Sequence, residues 1–200
     1  MVHPDTELRF VNPVLGWGVF ATRAIPRGTI TWALDLLDQR FRPGEVAAMP
    51  AHARAALDKY SYIDARGDHI LCWDHARFFN HCCAANCLSV GYDFELAVRD
   101  IAAGEELTDD YGTLNPLAPF PCFCGAPGCR AQVLPDDHLR HGADWNRSAR
   151  AAFFLIPAVP QPLWDVVPER DAVERALADP SRLRPLQHHF APPLRAGRMA

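Results

Sequence analysis

The stretch Arg77–Asn86 reads Arg-Phe-Phe-Asn-His-Cys-Cys-Ala-Ala-Asn, and a further cysteine, Cys87, follows it directly. It carries more hydrogen-bonding and metal-ligating groups than a core strand ordinarily does, because each buried polar group needs a partner. Two later stretches, Glu105–Gly112 and Cys122–Arg130, are similarly rich in such groups. We therefore predict that the three stretches meet in space and form one site.

The composition narrows the class of protein. The 200 residues are 49% hydrophobic and 22% charged, which suits one globular domain with an appendage. The formal net charge of -4 gives no global basic surface, so we expect no direct nucleic-acid partner. We also find no apolar run of membrane-spanning length and no signal-peptide pattern, so we expect no membrane partner. The expected location is cytoplasmic, or nuclear if the source is eukaryotic.

The abundance of proline and the local hydrophobic patterns predict a mainly β protein with short helices. Strands are predicted at residues 8–11, 18–22, 29–34, 60–64, 69–73 and 94–99, the last with the alternation of a half-buried strand. Helices are predicted at residues 45–49, 52–60, 136–141, 144–155 and 169–178. We expect the last twenty residues, which include Arg182, Arg184, Arg195 and Arg198, to form a loosely ordered tail.

The cysteines indicate a metal site. Cys122, Cys124 and Cys129 lie close together, with glycines and a proline between them that let the backbone turn tightly. Structural zinc takes four ligands in a closed tetrahedron, most often cysteines, so a fourth thiolate must come from elsewhere. Free or oxidised surface thiols are the alternative, which the reducing cytosol disfavours. The chain offers four further cysteines: Cys72, Cys82, Cys83 and Cys87.

Near the N-terminus, two glycines flank an indole in Gly16-Trp17-Gly18. Glycines at such positions allow a backbone turn and the close approach of a ligand. An ordinary hairpin turn explains the motif equally well, since short glycine motifs are weak signals.

Taken together, these motifs resemble those of the SET-domain protein lysine methyltransferases that carry a cysteine-rich post-SET segment. Gly16–Phe20 resembles the first motif of that family, and Arg77–Asn86 resembles its central motif. Glu105–Gly112 is similar to the catalytic-tyrosine motif, and Cys122–Arg130 is similar to the post-SET cluster. The resemblance covers about residues 8–132, in the family's order.

The resemblance implies a fold and a reaction. The fold would be small twisted sheets of the β-clip type, with the catalytic-tyrosine segment threaded, knot-like, beneath a loop of the central motif, which is unusual. The reaction would be methyl transfer from S-adenosylmethionine to a lysine of a protein or peptide substrate, such as a histone or another basic protein. The domains would be a SET domain (8–115), a post-SET zinc segment (116–134) and a helical, proline-rich C-terminal extension (135–200).

The resemblance also assigns roles to individual residues. Tyr111 would be the catalytic residue and would contact the cofactor. The remaining cofactor-binding residues would be Gly16, Trp17, Gly18, Arg77, Phe78, Asn80 and His81. The four ligands of Zn2+ would be Cys83, Cys122, Cys124 and Cys129.

Methyl transfer to lysine requires alignment and a neutral amine. Because the reference pKa of lysine is near 10.4, the neutral form is rare in water, and a narrow aromatic channel would favour it. Tyr111 could orient the amine or the methyl group through its hydroxyl. Trp17, Phe78 and Phe79 could place aromatic faces near the positive sulfonium. Tyr60 and Tyr62 are further candidates for the channel, with no choice between them.

Several positions depart from the family pattern. Cys82 replaces the usual Ser, and Ala85 replaces the usual Pro. Asp109 stands where family members often have a Phe or Tyr that tunes the number of methyl groups added, so that number is not predicted. Two alternatives therefore stay open: a catalytically weak or inactive SET-like binding module, and a zinc-stapled adaptor. We favour the enzyme because the Asn80-His81 pair and Tyr111 are intact.

Overall fold

The structure is a computed structural model that describes residues 1–191. As predicted, this part of the chain is mainly β with short helices. Its strands are β1 Thr6–Asn12, β2 Gly16–Ala21, β3 Ile30–Ala33, β4 Gln39–Phe41, β5 Ser61–Ile63, β6 His69–Leu71, β7 Asn80–His81, β8 Cys87–Ser89, β9 Phe94–Ala97, β10 Glu106–Asp109, β11 Phe120–Pro121 and β12 Gln132–Val133. Its α-helices are α1 Pro43–Ala48, α2 Ala51–Tyr60, α3 Asp137–Phe153 and α4 Arg170–Ala178.

Short 3-10 helices connect several of these elements. Within the described range they are His75–Phe78, Tyr111–Thr113, Ile156–Ala158, Trp164–Val166, Pro180–Arg182 and Leu186–His189. Of the helices that the structure describes, none is long and apolar enough to cross a membrane.

The largest sheet of the described chain has the strand order β1-β2-β10-β8-β9-β3, and β7 pairs with β10 off this path. Strand β10 is antiparallel to β2 but parallel to both β7 and β8. The strands on both sides of the loop at residues 82–86 therefore pair with β10: β7 before the loop and β8 after it. The expected threading of the tyrosine segment beneath this loop requires both pairings.

The hairpin between β1 and β2 explains the first glycine motif. Gly16 has a φ of 80°, a left-handed conformation that glycine adopts without steric cost. The side-chain oxygen of Asn12 accepts hydrogen bonds from the backbone N–H groups of Val14 and Leu15, each at 2.9 Å. The hairpin interpretation is therefore correct for Gly16, and strand β2 begins at this residue, two residues earlier than predicted.

A smaller sheet of strands β4, β6 and β5 follows in the fold. Tyr62 on β5 packs its ring edge-on against Trp32 on β3, with 5.7 Å between ring centroids. The two sheets therefore approach each other at this pair, and a cavity lies beside it.

Helix α3 covers the other face of the large sheet. Phe153 and Ala149 of this helix pack in one core cluster with Phe94 and Leu96 of β9. The predicted break into two helices, at 136–141 and 144–155, is wrong. No proline lies between residues 137 and 153, and the helix continues through Gly142.

Strand β9 was predicted to be half-buried, and this prediction is wrong as well. All four residues of Phe94–Ala97 are buried, including Glu95 at 6% exposure. Phe94 and Leu96 contact the core beneath α3, whereas Glu95 lines the cavity. The alternation in the sequence therefore separates core from cavity rather than core from solvent.

The segment at 180–191 is ordered, contrary to the prediction of a loose tail. Leu186 is 1% exposed and packs with Leu88 and Trp145. Arg184 donates two hydrogen bonds to the carboxylate of Glu169, at 2.6 and 2.7 Å. The rest of the predicted tail, residues 192–200 with two further arginines, lies outside the described residues.

Candidate active site and metal centre

Asn86 holds the central loop over strand β10. Its side-chain amide donates to the carbonyl of Glu106 at 2.8 Å, and its side-chain oxygen accepts from the N–H of Thr108 at 2.8 Å. The N–H of Cys82 adds a bond to the carbonyl of Asp109 at 3.0 Å. Because Asn86 is 1% exposed, these bonds satisfy a polar group that would otherwise be costly to bury. The loop is therefore fixed at both ends.

Asn80 connects the first motif to the tyrosine motif. Its side-chain N–H group donates to the carbonyl of Trp17 at 3.0 Å and to Oε1 of Glu106 at 2.7 Å. A Cβ at position 18 would lie only 2.2 Å from the same Oε1 atom, so Gly18 leaves the room that Glu106 occupies. Three of the sequence motifs thus meet around one amide.

His81 links Tyr111 to the cysteines. Its Nδ1 atom accepts the backbone N–H of Tyr111 at 3.1 Å, and its Nε2 atom lies 3.3 Å from Sγ of Cys83. Burial lowers the pKa of His81, despite the opposing effect of Asp110 nearby. The ring is therefore neutral at neutral pH, as the acceptor role of Nδ1 requires.

Tyr111 faces a cavity of about 420 Å³ between the two sheets. Its hydroxyl donates to the carbonyl of Phe79 at 2.5 Å, and burial raises the pKa of the phenol. The aromatic side chains that line the cavity are Trp32, Tyr60, Tyr62, Phe79, Tyr111 and Phe120. Both tyrosines that the sequence left undecided, at positions 60 and 62, are therefore in the wall.

The residues predicted to contact the cofactor are divided between the cavity and its flank. Arg77 and Tyr111 line the cavity. The flanking residues are Gly16, Trp17, Gly18, Phe78, Asn80 and His81. Trp17 is 49% exposed beside Phe10, so its indole surface is available to a ligand.

The cavity wall contains a pair of carboxyl groups that the sequence did not predict. Glu95 and Asp109 are 6% and 2% exposed and lie within hydrogen-bond reach of each other, and no donor of the described residues reaches Oε2 of Glu95 or Oδ1 of Asp109. Burial raises the pKa of both groups, that of Asp109 well above its ordinary value. A single acidic residue in the otherwise apolar run Phe94–Val98 was the available signal.

Asp110, next in the chain, points to the opposite side and is fully partnered. Arg130 donates two hydrogen bonds to its carboxylate, each at 2.7 Å, and Trp145 donates a third at 3.2 Å. Nε of Arg130 also lies 3.3 Å from Oδ2 of Asp137 at the start of α3. This cluster joins β10, the cysteine segment and α3.

Four cysteines converge beside this cluster. The Sγ atoms of Cys83, Cys122, Cys124 and Cys129 all lie within 4.8 Å of one another. The distances from Sγ of Cys122 to those of Cys83 and Cys129 are 3.7 and 3.6 Å. A zinc ion with four thiolates at about 2.3 Å requires sulfur–sulfur separations of about 3.8 Å. The cluster could therefore bind zinc.

Hydrogen bonds support thiolate character at Cys124, whereas burial raises the pKa values of Cys83 and Cys122. Although burial opposes it, bonds from the backbone of Cys83 and Ala126 lower the pKa of Cys124 to about 6. The N–H groups of Arg130 and Ala131 donate to Sγ of Cys83 and Cys129, each at 3.4 Å. Donors of this kind stabilise the charge that a metal-bound thiolate carries.

The other cysteines do not join the group within the described residues. Cys87 is fully buried in the core beside β10, and Cys72 is buried on the far side of the cavity. Cys82 accepts the N–H of Ala84 at 3.4 Å but is outside the four-sulfur group. Among the candidates for a fourth ligand that the spacing left open, Cys83 is the one whose Sγ lies with those of the other three.

Comparison with known proteins gives consistent matches. A family model of the SET domain matches residues 16–112. The chain is 30% identical over 142 residues to a Mycosarcoma maydis protein named histone-lysine N-methyltransferase, H3 lysine-4 specific, covering 62% of this chain and 9% of that protein. It is 34% identical over 145 residues to a Mus musculus protein named histone-lysine N-methyltransferase, H3 lysine-36 specific, covering 64% and 5%.

A shorter match is closer in sequence. It is 45% identical over 67 residues to a Yarrowia lipolytica protein named histone-lysine N-methyltransferase, H3 lysine-4 specific, covering 29% of this chain and 6% of that protein. Among solved structures, the crystal structure of KRYPTONITE in complex with mCHG DNA and SAH matches with a TM-score of 0.44 and 25% identity. That match covers 61% of this chain and 27% of the other. The chain spans between 5% and 9% of the length of the three curated relatives.

The fold and site define a SET domain followed by a post-SET cysteine cluster. Residues 16–112 of the chain match the SET-domain family.

Proposed function

We propose that this protein transfers a methyl group from S-adenosylmethionine to a lysine side chain of a protein substrate. The observation that carries the proposal is the position of Tyr111: it lines an aromatic cavity, and His81 accepts its backbone N–H. Asn80 ties Glu106 of the same motif to Trp17 of the first motif. A zinc-stapled adaptor has no need of such a cavity.

The proposed cofactor site lies between the first and central motifs. Gly16, Trp17 and Gly18 would form one wall, and the half-exposed indole offers an aromatic surface to a sulfonium. The other wall would consist of Arg77, Phe78, Asn80, His81 and Tyr111. When bound, S-adenosylmethionine supplies an electrophilic methyl group.

The chain's own part in the reaction would be alignment and exclusion of water. The aromatic wall would desolvate the substrate side chain and thereby favour its neutral form. The Tyr111 hydroxyl donates to the carbonyl of Phe79. The hydroxyl and carbonyl oxygens are therefore two polar atoms in a largely apolar wall. Such atoms can orient an amine for in-line attack.

The proposed metal site has a structural role. A zinc ion held by Cys83, Cys122, Cys124 and Cys129 would fasten residues 116–134 to the central loop. Cys83 lies two residues after His81, and the imidazole of His81 contacts both the thiol and Tyr111. The metal would thus stabilise the position of the catalytic tyrosine without contacting the substrate.

We also propose the division into a SET domain (8–115), a zinc segment (116–134) and a C-terminal extension (135–200). The three curated relatives in the comparison carry names of histone-lysine methyltransferases. A lysine of a histone or another basic protein is accordingly the proposed substrate, without direct nucleic-acid or membrane contact. The proposed location is the cytoplasm, or the nucleus in a eukaryote.

The test is transfer of labelled methyl from S-adenosylmethionine to histones and to a lysate, with zinc-loaded full-length protein. Tyr111→Phe should lower transfer about a hundredfold or more, as removal of a preorganised hydrogen-bond donor typically does. Tyr92→Phe is the matched control, because Tyr92 is 2% exposed and lies in the core against Phe153, outside the cavity. It should transfer normally.

The other outcomes separate the alternatives. Cofactor binding without transfer by the native protein would indicate a binding module. Neither binding nor transfer would indicate a zinc-stapled adaptor. Equal transfer by both variants would contradict the role of Tyr111.

A further inference from the structure

The buried carboxylates Glu95 and Asp109 form a site of their own at the wall of the cavity. They come from different strands, and Ser89 and Trp32 are the cross-strand neighbours of Glu95. Both residues are more than nine-tenths buried, no donor of the described residues reaches Oε2 of Glu95 or Oδ1 of Asp109, and the two carboxyl groups lie within hydrogen-bond reach of each other, where a shared proton would join them. Buried acceptors without a donor are rare in native proteins, and a catalytic role or a bound ion is among the reasons for keeping them.

The chemistry of the pair selects the ligand. Carboxylate oxygens accept hydrogen bonds and favour positive charge. Their surroundings are largely aromatic, so an anion or an uncharged apolar group would leave the negative charge of the pair uncompensated. A ligand with several N–H donors and one positive charge would compensate it, and a primary ammonium meets this description.

The pair is suited to a single positive charge. Two carboxyl groups this close in an apolar site retain one proton between them, because both cannot be ionised at once. Burial and the proximity of Glu95 raise the pKa of Asp109 well above its ordinary value, so a shared proton favours Asp109. With one proton shared, the pair carries one negative charge in total.

Other titratable groups around the pair do not cancel this charge. The groups facing Glu95 and Asp109 are uncharged at neutral pH: Tyr62, Cys72, Cys87 and Tyr111, whose pKa values burial raises. His69, Asp58, Lys59 and Arg77 belong to the same cavity lining. Asp110 is the nearest further carboxylate, and Arg130 neutralises it from the other face of β10.

We propose that Glu95 and Asp109 bind the ammonium group of the substrate side chain and accept its proton. This inference rests on the proposed function, because it names how a charged lysine becomes a nucleophile in that cavity. One N–H bond of the ammonium breaks, and its electron pair stays on nitrogen as the lone pair. The proton passes to the ionised carboxylate of the pair, forming an O–H bond, and leaves to solvent after turnover.

Binding can be tested without turnover and without knowing the substrate. The probes are n-pentylammonium, which imitates the lysine head group, and n-pentanol, its neutral analogue, titrated at pH 7 into zinc-loaded protein with S-adenosylhomocysteine present. Native protein should prefer the ammonium by roughly tenfold, the worth of one hydrogen bond to a charged group. Glu95→Gln and Asp109→Asn should both reduce this preference.

A matched control is Glu174→Gln on the exposed face of α4, which should bind both probes as the native protein does. No preference for n-pentylammonium in the native protein would overturn the proposal. An unchanged preference in both cavity variants would overturn it as well. Cofactor binding by each variant, measured separately, shows that the fold is intact.

A second readout is the pH dependence of methyl transfer to a substrate protein found in the transfer assay described above. Without the acceptor, the Glu95→Gln variant must recruit lysine that is already neutral, so its kcat/KM should rise about tenfold per pH unit between pH 7 and 9. The native protein should show a smaller rise. Parallel profiles would overturn the proton-acceptor role. If the native protein transfers no methyl groups at any pH, this result would instead contradict the proposed function.

Discussion

Asp109 and Asp110 are neighbours in sequence, equally buried, and opposite in their chemistry. Asp110 is 1% exposed and accepts hydrogen bonds from Arg130, Trp145 and the N–H of Gly112. Asp109 is 2% exposed and lies within hydrogen-bond reach of Glu95 in the same cavity wall. The alternation of side chains along a strand sends one carboxylate behind the sheet and the other into the cavity.

The difference separates two uses of buried charge. Behind the sheet, an arginine compensates the carboxylate and the cluster holds three segments together, which serves the fold. In the cavity wall, no arginine or lysine of the described residues pairs with the carboxyl groups, so their burial is a cost to stability, which is typical of functional sites. The following predictions test whether the two regions really divide in this way.

Removal of zinc should have the largest effect on the region behind the sheet. Cys124→Ser should lose the metal and much of the stability, because zinc binding contributes about 10–16 kcal/mol in small zinc peptides. Cys82→Ser is the matched control, since Cys82 lies next to Cys83 but outside the four-sulfur group. Metal content and thermal unfolding would check this, and equal zinc content in both variants would contradict the ligand assignment.

Loss of the arginine should have the next largest effect. Arg130→Met leaves the carboxylate of Asp110 buried without its cation, which should lower the free energy of unfolding by about 3–5 kcal/mol. Arg140→Met removes an exposed ion pair with Asp136 and should cost less than about 1 kcal/mol. Urea unfolding measures both. Similar small losses would show that the cluster is not structural.

In the cavity, removal of a carboxyl group should raise the free energy of unfolding instead of lowering it, and the effect should depend on pH. Because burial raises the pKa of Glu95, the folded state holds its proton more tightly than the unfolded state does. Native stability should therefore fall as pH rises above the ordinary carboxyl range. Glu95→Gln should reduce this dependence, with the part due to the burial of Asp109 remaining, and be more stable than native protein at pH 7, by on the order of 1 kcal/mol.

Unfolding at pH 5 and pH 7 measures the effect. The gain should shrink toward pH 5, where the native carboxyl is more readily protonated. A constant difference between the two pH values would contradict the raised pKa.

Much of the fold followed from local patterns in the sequence. Turn residues and ligand spacing, which depend on few neighbours, place the strands around Gly16 and His69 and the three cysteines at 122, 124 and 129, whereas Cys83 came only from the resemblance to the SET-domain family. The division of α3 failed because Gly142 weakens a helix locally, whereas packing against Gln187 and the sheet decides its continuity. Tertiary packing of Leu186 likewise ordered a segment whose composition indicated a tail.

The carboxylate pair was beyond reach for a different reason. Taken alone, the acidic residues at 105–110 would form a solvated face, and Glu95 would alternate toward water. Only the pairing of β9, β8 and β10 brings Glu95 and Asp109 to one wall. Strand β8 lies between β9 and β10, and no local sequence pattern predicts a contact between side chains of two strands that are separated by a third.

The most direct test compares Asp109→Asn with Asp110→Asn, measuring unfolding free energy and methyl transfer at pH 7 for both. The account predicts that Asp109→Asn keeps or gains stability and binds the cofactor, yet transfers methyl groups poorly. It predicts that Asp110→Asn loses stability by several kcal/mol, because Arg130 loses its charged partner. Equal losses of stability in both variants, or full transfer by a stable Asp109→Asn protein, would contradict the division between the two faces.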